Sequence, residues 1–439
     1  MPKVIKGFAQ ETRSISIPEA LEEAGRCYLC HDAPCSKASP ANTDVAGFIS
    51  RMRSRNFRGA LRLVKESNFF PGITSRVSPY GQQCESPCLH RKYGGPIRIA
   101  ELERVLADYD ISARNPYLPP VSESSGKTVA VVGSGPTGLA AAVELVLGGC
   151  KVIIYESSRI PGGVLTKGVP GYLISDTVID HEVGGVLQLG VDLVTGINVG
   201  QNINLVSLKN SYDALLITIG MGIPRRIEVP GNDQGEIFTG LEILESLKLK
   251  EKRLRVGEKV MVIGGGSVAL DVATSMRKLG IKDVTLIYRK KREHMPVFDS
   301  RFNQCLESGV VFEFCTELKQ INNDGQKTIT EIVCIRNRIS HEEGGKVESV
   351  PLEGSEFTMP ADTVIFCVGQ ELDRTLVDCF ELKTTGEGTI EVDPETSRTS
   401  DPFIFAAGSC VARTDTIIEA IAGGRRVAQR IIRQLAQES

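Results

Sequence analysis

The spacing of hydrophobic positions changes once along this chain. Before residue 115 apolar residues recur three and four apart, as in "VAGFISRMRSRNFRGALRLVKES" (45–67), and "SIPEALEEAG" places Pro18 near a helix start. The stretch "NPYLPPVSESSGK" (115–127) is rich in proline and serine and reads as a linker. Beyond it, short apolar strands, glycine turns and amphipathic helices alternate, which predicts an α/β fold. Two stretches there resemble each other: "KTVAVVGSGPTGLAAAVELVLGGCKVIIYES" (127–157) and "EKVMVIGGGSVALDVATSMRKLGIKDVTLIYRKK" (258–291). Each reads as strand, glycine turn, helix, strand, so the pattern predicts two βαβ units, each with a dinucleotide-sized site.

Composition narrows this picture. A chain of 439 residues is too long for one ordinary core, so two or three domains are expected. With 41% hydrophobic and 24% charged residues it has the balance of a globular protein, and a net charge of -3 argues against nucleic acid as a partner. No stretch has the apolar length of a membrane span, and the N-terminal "MPKVIKGFAQETRS" has no apolar signal core. The expectation is a cytoplasmic protein, in which twelve cysteines point to metal or redox work, or to buried thiols, rather than to disulfides.

The first glycine turn is Gly133-x-Gly135-x-x-Gly138, between the strand "TVAVV" and the helix "LAAAVELVLGG". Gly133 permits the tight turn, Gly135 lets the backbone approach a pyrophosphate, and Gly138 brings helix and strand together with the helix N-terminus facing the phosphates. The next strand ends in Glu156, whose carboxylate suits the two hydroxyls of an unphosphorylated ribose. The second turn, Gly264-x-Gly266-x-x-Ala269 with Ser267 following Gly266, is an allowed variant. Aligning the two copies puts Arg289, followed by Lys290, Lys291 and Arg292, where the first has Glu156. A cationic cluster at that place suits a 2′-phosphate and favours NADPH over NADH; a solvated charged loop is the plainer alternative. The first site is then most simply one for FAD. Gly162 and Gly163 in "IPGGVLTKGVP" can pass close to a flavin, and "SDPFIFAAGSC" before "TIIEAIAGGRRVAQRII" reads as a strand, a glycine turn and a helix facing a second part of it.

Five cysteines (Cys27, Cys30, Cys35, Cys84 and Cys88) precede residue 90. The run "RCYLCHDAPCSKASP" has the spacing of a ferredoxin-type motif, but Ser39-Pro40 stands where such a run ends in Cys-Pro.

From "CYLCHDAPC" through "VGSGPTGLAAA", "PGGVLTKGVP", "VIGGGSVALDVA" and "YRKKREHMP" to "IFAAGS", the chain resembles the small subunit of bacterial glutamate synthase, the N-terminal half of dihydropyrimidine dehydrogenase and the free-standing flavin subunit of the bacterial form of that enzyme. The resemblance implies a helical iron–sulfur domain (1–115), a linker (116–126), an FAD domain in two parts (127–234 and 362–439) and an inserted NADPH domain (235–361), all within an α/β architecture of two Rossmann-like domains. It implies Cys27, Cys30, Cys35 and Cys88 as ligands of one [4Fe–4S] cluster. The second cluster of the family would fall on Ser39, Ser78, Cys84 and Glu103; hydroxyls replace soft thiolates there, so its loss is expected. A zinc site on the first set and oxygen ligation of a second cluster are the open alternatives. After "FAAG" the family has an Asp that contacts the flavin's ribityl chain; here Gly408 is followed by Ser409, which loses a charge-assisted hydrogen bond.

The resemblance implies an electron-input subunit within a hetero-oligomer: hydride from NADPH to FAD, then single electrons through the cluster to a catalytic or electron-accepting protein subunit. A stand-alone NADPH:ferredoxin or quinone reductase and a non-catalytic assembly subunit are the rival readings. A flavin disulfide reductase is disfavoured, because the one C-x-x-C (Cys27, Cys30) lies outside both nucleotide-binding stretches.

Overall fold

A computed structural model describes residues 3–4, 14–232, 235–249, 254–325, 328–341, 347–414 and 416–437. Most of the N-terminal stretch read above for a targeting signal lies outside them. The chain forms two compact units. One comprises 10–166, 172–222 and 372–439; the other is built chiefly on 223–371.

The first unit begins with helices whose starts are written in the local sequence. Helix α1 (Ile17–Gly25) opens with a capping box, the Ser16 hydroxyl accepting from the Glu19 amide while the Ser16 amide donates to the Glu19 carboxylate at 2.7 Å. Asp44 caps α2 (Val45–Arg53) and Asn56 caps α3 (Phe57–Lys65), each accepting from the amide three residues on. Helices α4 (Pro71–Val77) and α5 (Ile99–Ser112) come later in the same segment. Phe48, Ile49, Met52, Leu61, Val64, Leu102 and Leu106 form a common core of α2, α3 and α5. Residues 115–126 have no regular secondary structure and are largely exposed.

An α/β fold follows: β1 (Thr128–Val132), α6 (Pro136–Leu147), β2 (Lys151–Glu156), α7 (Asp176–Gln188), β3 (Asp192–Thr195) and β4 (Ala214–Ile217). The helical segment is pinned onto it by buried charge. Lys65 on α3 pairs with Asp110 on α5 at 2.6 Å, both almost fully buried, and His181 on α7 lies 3.5 Å from the same carboxylate. Glu182, also on α7, accepts from the Gly72 amide in the first turn of α4 at 2.6 Å. A residue of the nucleotide-binding fold thus caps a helix of the cysteine-bearing segment.

In the second unit a parallel sheet is built from β5 (Glu236–Thr239), β6 (Lys259–Ile263), β7 (Asp283–Tyr288), β8 (Val311–Phe314) and a later strand, with α8 (Ser267–Lys278) between β6 and β7. An antiparallel sheet follows: β9 (Thr316–Asn323), β10 (Ile329–His341), β11 (Val347–Pro351) and β12 (Phe357–Pro360), with β10 paired to the other three. The chain then returns through β13 (Thr363–Phe366), giving the parallel order β8-β7-β6-β13-β5. The two chain crossings, Ile223–Pro224 and Gln370–Glu371, pair antiparallel.

Back in the first unit, β14 (Ile404–Ala406) joins β4 and gives the parallel order β14-β4-β1-β2-β3, after which α9 (Ile417–Gln437) packs along α6. In each sheet the strand before the glycine turn is central, the arrangement that puts a nucleotide at the carboxyl ends of the strands. No described helix is long and apolar enough to cross a membrane.

Candidate functional site

Gly133 ends β1 at φ +101°, a left-handed conformation open to glycine, and a Cβ there would stand 2.8 Å from the Thr218 carbonyl. At Gly138 a Cβ would collide with the Gly133 carbonyl, so helix and strand approach as closely as backbone allows. Gly135 is the N-cap of α6, and Gly163 sits so close that its Cβ would lie 2.8 Å from the Gly135 Cα. Gly408, at φ +83°, approaches the Thr137 hydroxyl in the same way, while Gly424 on α9 leaves no room for a Cβ beside the Thr137 carbonyl. Gly162 donates its amide to the Ser134 hydroxyl at 3.1 Å. The first turn, the Gly162–Gly163 segment and the Gly408 turn therefore meet around one helix N-terminus. Such a cradle, closed to side chains, fits the pyrophosphate of FAD.

Glu156 is 6% exposed and accepts from the Ser134 amide (2.9 Å), the Ser134 hydroxyl (2.6 Å) and the Ser158 amide (2.8 Å). These bonds hold the carboxylate beside the turn. Ser134 and Thr137 occupy unspecified places in the glycine pattern, so the spacing alone gave them no role. The Ser409 hydroxyl lies 3.0 Å from that of Thr414.

In the second unit Gly264, at φ +144°, leaves no space for a Cβ beside the Cys367 carbonyl, and Gly266 is the N-cap of α8. Ser267 is exposed in the first turn. Arg289 follows β7 as an exposed cation with no carboxylate paired to it among the described residues. The rest of the basic run is committed: Lys290 donates to the Val347 carbonyl (2.8 Å), Lys291 lies 3.7 Å from Glu293, and Arg292 pairs with Asp299 and stacks over Phe302 at 4.1 Å. Of the run, only the Arg289 side chain has no hydrogen-bond or ion-pair partner among the described residues.

Cys27, Cys30, Cys35 and Cys88 line one pocket, with Ile49, Ile97 and Ile99 in its wall. The Leu29 amide donates to the Cys27 sulfur and the Ile97 amide to that of Cys88, both at 3.5 Å, the kind of contact that stabilises thiolate bound to iron. Burial pushes the Cys27 thiol up and that of Cys35 to about 11, and the neighbouring thiols add to both shifts; a bound cluster would displace these protons. Among the described residues no three His, Cys, Asp or Glu side chains are disposed to hold one metal ion. The donor set fits a [4Fe–4S] cluster. His31 is exposed and lies outside the pocket lining, whereas His90 lines it.

Ser39, Cys84 and Glu103 are buried together, and their bonds run within the protein. The Tyr80 hydroxyl donates to Glu103 at 2.6 Å, and the Ser39 hydroxyl accepts from the Thr43 amide at 3.2 Å. Burial, with Glu103 adding to it, pushes the Cys84 thiol to about 12; burial raises the Glu103 carboxyl to about 7. The Ser78 hydroxyl is buried without a hydrogen-bond partner.

Two parallel sheets with a glycine turn apiece, joined in one chain to a four-thiol pocket, define a nicotinamide-dependent flavoprotein reductase with an iron–sulfur domain. Residues 127–424 match the pyridine nucleotide-disulphide oxidoreductase family, to which the chain belongs, and residues 4–115 match the dihydropyrimidine dehydrogenase domain II, 4Fe-4S cluster family. It is therefore an NAD(P)H-dependent oxidoreductase with FAD and a [4Fe–4S] cluster as cofactors. It is 32% identical to the NAD-dependent dihydropyrimidine dehydrogenase subunit PreT of Escherichia coli, over 94% of this chain and 93% of that one. It is 30% identical to the glutamate synthase [NADPH] small chain of Azospirillum brasilense, over 97% and 91%. With the NADP(+)-dependent formate dehydrogenase subunit beta of Moorella thermoacetica it shares 31% identity over 92% of this chain, but spans 60% of that longer protein. Its fold resembles FprA from Mycobacterium tuberculosis, with a TM-score of 0.61 at 19% identity, covering 71% of this chain and 85% of that one.

All twelve cysteines are unpaired. In the nucleotide-binding folds, burial drives the Cys410 thiol to about 12 and that of Cys367 far above the ordinary range, the opposite of an activated thiolate.

Proposed function

We propose that this chain is the electron-input subunit of a larger enzyme, taking a hydride from NADPH onto FAD and passing electrons singly through one [4Fe–4S] cluster to a partner subunit. The observation that carries this reading is that the four-thiol pocket and the flavin cradle belong to one compact unit. Bound FAD supplies the conversion between a two-electron hydride donor and a one-electron acceptor.

The chain's own residues bind and orient. FAD is assigned to residues in 127–234 and 362–439: the amides at the α6 N-terminus hold its pyrophosphate, Glu156 its ribose hydroxyls, and Gly162, Gly163, Gly408 and Ser409 the remainder. NADPH is assigned to 235–361, on Gly264, Gly266 and Ser267, with Arg289 and, less directly, Lys290 favouring a 2′-phosphate. Hydride transfer between the cofactors needs no protein acid or base, so no side chain is assigned one.

The second cluster of the resembling family is assigned as absent. Two of its four positions are hydroxyls, Cys84 is held neutral, and Glu103 is engaged by Tyr80. The names of the relatives, each a subunit or chain of a larger enzyme, support a protein partner.

Anaerobic titration with NADPH tests the reading. Flavin absorbance should bleach and a reduced-cluster spectrum should follow. Flavin that neither NADPH nor NADH can bleach would favour the assembly-subunit reading instead.

A further inference from the structure

Three exposed apolar side chains belong to the segments that carry the cluster cysteines. Tyr28 and Leu89 line the four-thiol pocket yet are 55% and 51% exposed, and Tyr93, four residues beyond Leu89, is 74% exposed. Tyrosine is favoured at the centre of protein interfaces, where it contributes area at low entropic cost. The loop that carries two of them is held in place. Arg26 donates to the Gly94 and Gly95 carbonyls at 2.9 and 3.2 Å and is itself held by Glu23 at 2.7 Å, while the Tyr28 and His90 rings lie 5.0 Å apart. A surface fixed before binding loses little entropy on docking.

Among the described residues, its charge without an ion-pair partner is cationic. Arg53 on α2 is exposed and donates to the Cys27 carbonyl at 3.4 Å; Arg91 donates to the Ser86 carbonyl at 3.2 Å; Lys92 is exposed. The carboxylates built into these loops are already engaged: Glu23 by Arg26 and Arg98, Asp32 by Lys37, Glu85 by the Ala100 amide. Among the described residues no carboxylate pairs with Arg53, Arg91 or Lys92.

We infer that Tyr28, Leu89 and Tyr93, with Arg91 and Lys92 on the same segments and Arg53 bound to the Cys27 carbonyl, form the docking surface for an acidic one-electron carrier protein. Apolar side chains together with unpaired cations complement an acidic face, and their continuity with the thiol pocket puts the partner where an electron leaves. One electron is lost at the four-thiolate site and one is gained by the carrier; no bond forms or breaks. The inference rests on the electron-input function proposed above.

The test uses the full-length, cofactor-loaded chain and its R91E/K92E variant, with a [2Fe–2S] ferredoxin of net negative charge as probe. The wild-type Kd, measured calorimetrically, should weaken about tenfold from low to moderate salt. Charge reversal should weaken it about tenfold at low salt, abolish the salt dependence, and speed reduction of the basic acceptor cytochrome c. Unchanged ferredoxin binding in the variant, a wild-type preference for cytochrome c, or a change in self-association without a change in ferredoxin binding would overturn the inference. Iron content and NADPH bleaching, measured on the same preparations, separate the two readings. Their loss in the wild type defeats the proposed function, whereas normal values with charge-insensitive binding defeat the docking surface alone.

Discussion

At the end of β2 the Glu156 carboxylate accepts four hydrogen bonds, two of them from Ser134, so the acid assigned to a ribose also fixes the glycine turn next to it. At the matching place after β7 stands Arg289, exposed and unpaired among the described residues. Replacing it isolates the 2′-phosphate contact. Arg289→Ala should raise KM for NADPH about tenfold and leave that for NADH nearly unchanged, as steady-state dye reduction with each donor will show. Equal effects on both donors would remove Arg289 from cofactor discrimination. A second residue-scale expectation concerns Glu182, which burial raises to about 7 against the attraction of Lys65 and His181 and with repulsion from Asp110. The unfolded chain ionises near 4.5, so between those values the folded state holds the extra proton. Stability therefore falls as pH rises from about 4.5 to about 7. Glu182→Gln keeps an acceptor for the Gly72 amide and removes the titration. Its stability relative to wild type should grow by on the order of 3 kcal/mol between acid and mildly alkaline pH, read from denaturant midpoints. Parallel pH profiles for the two proteins would contradict this.

Neighbouring glycines on one helix separate packing from propensity at the scale of elements. Gly424 on α9 faces the Thr137 carbonyl with no room for a Cβ, whereas at Gly423 the nearest atom to a Cβ is the Arg426 guanidinium at 3.8 Å. Gly424→Ala should cost about 1–3 kcal/mol and weaken FAD retention, because α9 must move off the first turn of α6. Gly423→Ala should be neutral or stabilise by up to about 1 kcal/mol. Thermal melts of the two variants check the contrast. The same scale shows what the sequence makes legible. The glycine turns are readable because one spacing encodes strand end, tight turn and helix start together, and the caps at Ser16, Asp44 and Asn56 are local signals. The Thr137 meeting point, the capping of α4 by Glu182 and the Arg26 clamp join residues far apart in sequence, and no local pattern specifies them. The four-stranded antiparallel sheet between β8 and β13 escaped for another reason: its strands mix buried and exposed positions instead of forming the continuous apolar runs of the parallel strands.

At the scale of the whole molecule, two nucleotide-binding folds and one thiol pocket lie in one chain, as the proposed division of electron pairs requires. Cys27, Cys30, Cys35 and Cys88 line a shared pocket, while Ser39 and Glu103 are buried with hydrogen bonds to Thr43 and Tyr80, so the proposed function expects iron in the first place and none in the second. Cys88→Ser should therefore remove the cluster absorbance while leaving FAD bound, and Cys84→Ser should leave iron content unchanged; metal analysis and visible spectra of both variants decide this. The most direct measurement is the iron-to-flavin ratio of the anaerobically isolated wild-type chain. The account predicts about four irons per FAD; about eight would restore a second cluster, and none would remove the electron path on which the proposed function depends.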